Sequence, residues 1–225
     1  MDKLRSTFLK LFTISLVIAL AAGGCYKRQA MNKYRSGRNY MNQDNYRDAY
    51  LMFQQALNKT AGREWKFRGE VLYNLAAISV AAQELEQADR YLFRAMDELS
   101  PGDANLVDNI LDLHQQLRSY QRAEGKFVIR ERKASVVGGW DHVLDKIYER
   151  VDFGDIKPRN RAYNIQVRYR VGSRGYIREL RVVSTDLQLL AEPVTRVLRN
   201  TRFMPAFERN VPVDYRDSRE ITIVH

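Results

Sequence analysis

The sequence predicts an α+β chain in two parts, a helical first half built on a repeated unit and a small β-β-α-β second half. Three observations predict it. From Met31 to about Ser119 helix formers dominate and Pro101 is the single proline. Within that stretch, small and apolar residues recur at matching offsets. After Gly138–Gly139 the apolar spacing passes from helical to strict alternation.

The first element is a leader. MDKLRSTFLK carries Lys3, Arg5 and Lys10 against Asp2, and an uncharged run from Leu11 to Ala22 leads into Gly23, Gly24 and Cys25. A charged start, a short apolar run and small residues at a cut site describe a secretory signal. The run is shorter than the roughly 20 apolar residues needed to span a bilayer as a helix. Cys25 is the one cysteine of the chain, which excludes an intrachain disulfide. Ala-Ala-Gly-Gly-Cys resembles the lipobox of bacterial lipoproteins, with Ala22 where that pattern prefers leucine. The resemblance implies diacylglyceryl transfer to the Cys25 sulfur, cleavage of residues 1–24, and acylation of the new N-terminus. Several acyl chains hold a protein durably where one is marginal. Tyr26 after the cysteine, in place of Asp, implies the outer membrane, facing the periplasm. An ordinary cleaved signal with an incidental cysteine is the alternative.

Removing residues 1–24 takes away three bases and one acid, leaving 34 against 26, a net charge of +8. Such an excess suits anionic headgroups or acidic partners, or simply a solvated basic surface. The implied compartment argues against nucleic acid. Residues 25–30 then read as a lipidated tether.

Helices are expected over roughly 29–42, 45–58, 65–82 and 85–99, broken at Asn42–Asn45, Thr60–Arg63 and Ser100–Asp103. Gly37, Ala49, Phe53 and Ala56 in the first pair match Ala76, Ala88, Leu92 and Ala95 in the second, with Tyr40 and Leu75 as further packing positions. Small residues at Gly37, Ala76, Ala49 and Ala88 let paired helices approach, while Tyr40, Phe53 and Leu92 fill the groove between pairs. These positions resemble the tetratricopeptide repeat, which implies a concave surface for a peptide or protein partner. Ala49 and Ala88 lie 39 residues apart, longer than the usual period of about 34. The surplus falls in the Thr60–Trp65 loop and an extended third helix. A third unit starts well, with Leu106, Ile110, Leu113 and Leu117 on one face. Its second half offers only Ala123 and Phe127, so a single capping helix is the other reading. The helical module is expected over 31–126.

Residues 127–158 read as a charged linker followed by an amphipathic helix, with Trp140, Val143, Leu144, Ile147, Tyr148 and Val151 along one stripe. Then Tyr163, Ile165, Val167, Tyr169 and Val171 alternate with polar residues, a strand buried on one face. Gly172-Ser173-Arg174-Gly175 turns the chain into a returning strand over Tyr176–Ser184. A helix follows at about 191–201, with Pro193 tolerable in its first turn. Phe203-Met204-Pro205-Ala206 ends it, and Val213–Val224 supplies the last strand. The order strand, glycine turn, strand, helix, Phe-x-Pro-Ala and strand over residues 159–225 resembles the C-terminal domain of TonB-type proteins. That resemblance implies a sheet able to accept an extended peptide at an open edge. This chain lacks the uncleaved transmembrane helix and proline-rich spacer of such proteins, which argues against direct energy transduction.

Between Arg159 and His225 there are 13 Arg, no Lys and 7 acids. Arg168, Arg170, Arg178 and Arg181 are candidates for a carboxylate- or phosphate-binding face. A solvated face kept basic against edge-to-edge aggregation explains them equally.

No catalytic constellation stands out. His114 lies near Asp112, His142 sits in Asp141-His142-x-x-Asp145, and His225 is terminal; two ligands fall short of the three or four of a zinc site. The expected function is a non-enzymatic adaptor in the cell envelope, carrying covalent lipid on Cys25 and no other cofactor or metal. Its partners would be envelope proteins, held in the helical groove and at the sheet edge, and the membrane. The alternatives are an envelope-structural protein whose basic C-terminal domain binds peptidoglycan or anionic lipid, and an accessory to TonB-dependent transport.

Overall fold

The computed structural model describes residues 26–63, 65–125, 129–153 and 161–224. The leader, Cys25, Phe127, most of the polar turn before Arg161 and His225 lie outside the described residues. The chain is α+β: five helices followed by a sheet layered with two more.

The helical part comprises α1 (26–42), α2 (Tyr46–Lys59), α3 (Arg68–Ala81), α4 (Leu85–Asp97) and α5 (Leu106–Ala123). Two of its interhelical turns share one backbone geometry. Asp44 and Gln83, 39 residues apart, both adopt positive φ, 55° and 60°. Each closes its turn with an equivalent hydrogen bond, Asn45 N–H donating to the Tyr40 carbonyl (2.9 Å) and Glu84 N–H to that of Ser79 (2.8 Å). Asn45 caps α2 by accepting from Asp48 N–H. Gly37, Ala49, Phe53, Ala56, Leu75, Ala76, Ala88, Leu92 and Ala95 are buried, and Tyr40 is half-buried. A Cβ on Gly37 would meet the Phe53 ring at 2.7 Å, so the small residue sets how closely α1 approaches α2. The loop between the two hairpins is packed rather than extruded. Trp65 is buried edge-on to Tyr34 (6.2 Å between centroids), Phe67 stacks on Tyr34 (5.2 Å), and Arg68 donates to the Thr60 carbonyl.

Two expected boundaries move. Residues 26–30 are helical and Ala30 is fully buried, so the segment read as a tether is the first turns of α1. Its alanine belongs to the same buried stripe as Tyr34. The third unit has one helix, α5, among the described residues.

The larger difference concerns residues 127–158, read as a linker. From Arg130 to Val137 the chain runs alongside residues 202–210. Arg132 and Phe207 exchange backbone hydrogen bonds (3.0 and 2.9 Å), β1 (Ser135–Val136) pairs antiparallel with β4 (Phe203–Met204), and Val137 N–H donates to the Arg202 carbonyl. Gly138 and Gly139, both at positive φ, turn it into α6 (Gly139–Tyr148). Val136, Val143, Ile147 and Val151 then join the core of the C-terminal part. Its backbone donors and apolar stripe need partners, and the adjacent sheet supplies them.

That core lies between α6, α7 (Ala191–Arg199) and a three-stranded antiparallel sheet of order β3-β2-β7, formed by β2 (Ala162–Val171), β3 (Ile177–Thr185) and β7 (Tyr215–Val224). The alternating Tyr163, Ile165, Val167, Tyr169 and Val171 of β2 are its buried floor. The expected last strand is β7, starting after Asp214, and it is preceded by a hairpin that was not expected, in which β6 (Val211–Val213) folds back on β5 (Ala206–Glu208). Arg209 and Asn210, both at positive φ, form the two-residue turn of that hairpin.

Candidate functional site

Three surfaces emerge: the seam where the two parts meet, a cleft beside it, and the open side of the sheet.

The seam is built on Phe207, directly after Phe-x-Pro-Ala. Its side chain is buried among residues of the helical core rather than of its own sheet. It meets the His114 ring edge-on at 4.9 Å and Phe93 of α4 at 6.2 Å. Three arginines of the C-terminal part surround this plug and reach acids on the helices. Arg130 Nε donates to Asp89 (2.6 Å) with its guanidinium over Phe93, Arg132 pairs with Asp97 (3.1 Å), and Arg202 with Asp108 (2.7 Å). Arg202 also stacks on Tyr176 at 3.7 Å, while its Nε and Nη1 are buried without a hydrogen-bond partner. Burial raises the Asp89 pKa, against the pull of Arg130, and lowers that of Arg132, against the pull of Asp97. In each pair one side chain, Asp89, Arg132 or Arg202, is buried and its partner across the seam is more open to solvent.

Beside the plug, a cleft of about 480 Å³ opens between α5, the β2–β3 turn and the β5–β6 hairpin. Asp108, Asp112, His114, Arg118 and Arg122 line it from α5, Ser173 and Arg174 from the turn, and Val211 and Pro212 from the hairpin. His114 is buried, and its pKa is pushed down to about 4, first by burial and then by the Arg118 charge. It is therefore a neutral, packed imidazole. His142 is half-buried on α6, in a different part of the molecule. Among the described residues no three His, Cys, Asp or Glu side chains converge on a common point.

On the open side of the sheet, Arg168 lies directly across from Arg181 of β3 and Ser218 of β7, and Arg170 from Glu179 and Arg216. Arg170 is held by Glu179 (2.7 Å), with Asp214 at 3.8 Å. The sequence grouped Arg178 with this face. The structure places it elsewhere: it is the extra residue where the β2–β3 register shifts, with its side chain against Gly172. The bulge breaks the strict alternation on which the grouping relied. Arg168, Arg170, Arg181 and Arg216 thus share a surface with Glu179 and Glu220. Among the described residues β3 and β7 each pair with β2 alone, leaving an outer edge on each. Val183 on β3 and Val224 on β7 are at least half exposed.

Sequence reasoning missed Phe207 and the three clamping arginines. The only available signal was that Arg130 and Arg132 stand in an otherwise extended run opposite nothing local, a pattern shared by any solvated segment. No helix among the described residues is long and apolar enough to cross a membrane. No family model matches the chain, and no curated protein matches its sequence.

Proposed function

We propose that this chain is a lipid-anchored adaptor of a bacterial envelope, in which a tetratricopeptide-like helical module and a TonB-C-terminal-like sheet present partner-binding surfaces from one body. The observation that carries the reading is the sheet itself: it has a helix-covered side, an arginine-bearing side, and outer edges on β3 and β7. An extended segment of a partner can add to such an edge through backbone hydrogen bonds, which supply affinity without demanding a pocket. The 39-residue recurrence of turn geometry supports the helical resemblance, and the β2–β3–α7–β7 order supports the other.

The anchor follows from Ala-Ala-Gly-Gly-Cys, and the geometry after it bears on how the body is held. With α1 helical from residue 26, acylation of Cys25 would leave no slack between membrane and fold. Tyr26 packs under the Arg63 guanidinium (4.4 Å), and Lys27, Arg28 and Lys66 are exposed nearby in sequence. Basic groups at the lipid surface add about 1 kcal/mol each on an anionic leaflet.

The test is photo-crosslinking in intact cells from single positions on the full-length chain. Positions Val183 and Thr222 sample the two edges, and Arg90 on the exposed flank of α4 is the comparison. The reading expects one defined protein adduct from an edge and none from Arg90. Adducts from neither edge would overturn it. A second reading has its own support. Arg168 and Arg181 are like charges placed directly opposite each other, an unfavourable arrangement that an anion lying over it would relieve. Retention of the full chain on purified cell-wall sacculi, lost in Arg168→Gln/Arg181→Gln, would favour that envelope-structural role.

A further inference from the structure

The open side of the sheet holds guanidiniums that the fold does not pair. Residues directly across an antiparallel ladder point to the same face. Arg168, at the centre of β2, is flanked in this way by Arg181 of β3 and Ser218 of β7, and all three are exposed. Arg216 lies two residues before Ser218 on β7, opposite Arg170. That makes it the diagonal neighbour of Arg168, a separation that long side chains span. The ladder between β2 and β3 is regular from Val167 to Arg170, with its register shifts outside that stretch. Among the described residues, Arg168, Arg181 and Arg216 form no ion pair. Arg170, by contrast, is taken by Glu179 at 2.7 Å, with Asp214 at 3.8 Å. In the rows on either side of Arg168, the other described carboxylate is Glu220, opposite Gln166.

We propose that Arg168, Arg181 and Arg216, with the Ser218 hydroxyl, form a binding site for a phosphate monoester group. The proposal rests on the second reading above, in which an anion lies over Arg168 and Arg181, and it names that anion. Guanidinium forks match the oxygens of phosphate and carboxylate alike, so charge decides between them. Three guanidiniums face one carboxylate. A phosphate monoester brings a charge of about −1.5 to −2 and three acceptor oxygens, enough for all three forks. A carboxylate brings one charge and two oxygens, and leaves a guanidinium unmatched.

The test is a titration of the full-length, detergent-solubilised protein at low salt, followed by NMR through its arginine Nε–H resonances. Inorganic phosphate is the probe and acetate the carboxylate comparison. Saturable shifts with phosphate are expected, at about tenfold or more lower concentration than with acetate. Arg168→Gln and Arg181→Gln should each weaken phosphate binding about tenfold. Arg196→Gln on α7, whose guanidinium is engaged by Glu192, should leave it unchanged. Unchanged urea midpoints show that the variants remain folded. Phosphatidic acid added to the micelles then identifies the source. A tighter response than to free phosphate assigns the group to a lipid headgroup, and an equal one to a soluble ester. No saturable shift with phosphate overturns the proposal, as does equal binding of acetate or equal weakening by Arg196→Gln. Retention on sacculi through Arg168 and Arg181 without a phosphate response would leave the envelope-structural reading standing and overturn the phosphate assignment alone.

Discussion

Phe207 is the side chain that joins the two parts, because it leaves its own sheet to fill the space between Phe93 and His114. Removing a fully buried phenyl ring costs the transfer energy of the ring and the cavity left behind. Phe207→Ala should therefore lower stability by about 3–5 kcal/mol in urea unfolding, far more than an exposed position such as Leu189. His114 beside it gives a signature in pH. The imidazole titrates at about 4 in the fold and at 6.5 when unfolded, so between those values the unfolded chain holds the extra proton. The stability it contributes is complete above pH 6.5 and is lost as pH falls towards 4, on the order of 3 kcal/mol in all. His114→Gln should flatten the urea midpoint across that window relative to wild type. A parallel slope in both proteins would mean that the imidazole is not packed as described.

Among the elements, the β2–β3 hairpin shows how a turn can serve two contacts. Gly175 has a φ of +79°, its N–H donates to the Gly172 carbonyl, and its own carbonyl accepts from Phe203 N–H at 3.0 Å. A Cβ there would land on the Phe203 carbonyl oxygen. Gly175→Ala thus combines backbone strain of about 1–3 kcal/mol with a clash against β4. It should lower the unfolding temperature clearly more than Gly62→Ala, whose position also has positive φ but open space around it. Comparable losses would show that the hairpin tip is not docked. This glycine turn was legible in the sequence, as were the alternation of β2 and the small residues of α1–α4, because each is a short-range pattern with one geometric solution. The role of residues 130–137 was not. Arg130 and Asp89 are 41 positions apart, and charges that are matched across a seam read, one at a time, as solvated. Phe207 was hidden for a related reason: an apolar residue in a three-residue strand gives no sign of which core it enters. The grouping of Arg178 with Arg168, Arg170 and Arg181 failed at a bulge, which inserts a residue without leaving a mark in the alternation of so short a strand.

At the scale of the whole molecule, the buried plug, the three arginine–aspartate pairs and the ladder from Arg130 to Val137 make a body rather than two domains on a linker. A body of this kind holds a sheet edge, a cleft and a helical surface at fixed separations. With the chain helical at residue 26, lipid on Cys25 would set all of them at fixed heights above a membrane. The basic residues near Tyr26 and Arg63 would then add an attraction towards an anionic surface. All of these consequences depend on the anchor. The most direct test is the intact mass of the protein extracted from its native membranes. The account predicts a chain beginning at Cys25 and carrying a diacylglyceryl group with an acylated N-terminus. A chain with a free thiol at Cys25, whether it begins at Met1 or after a cut elsewhere, would contradict it.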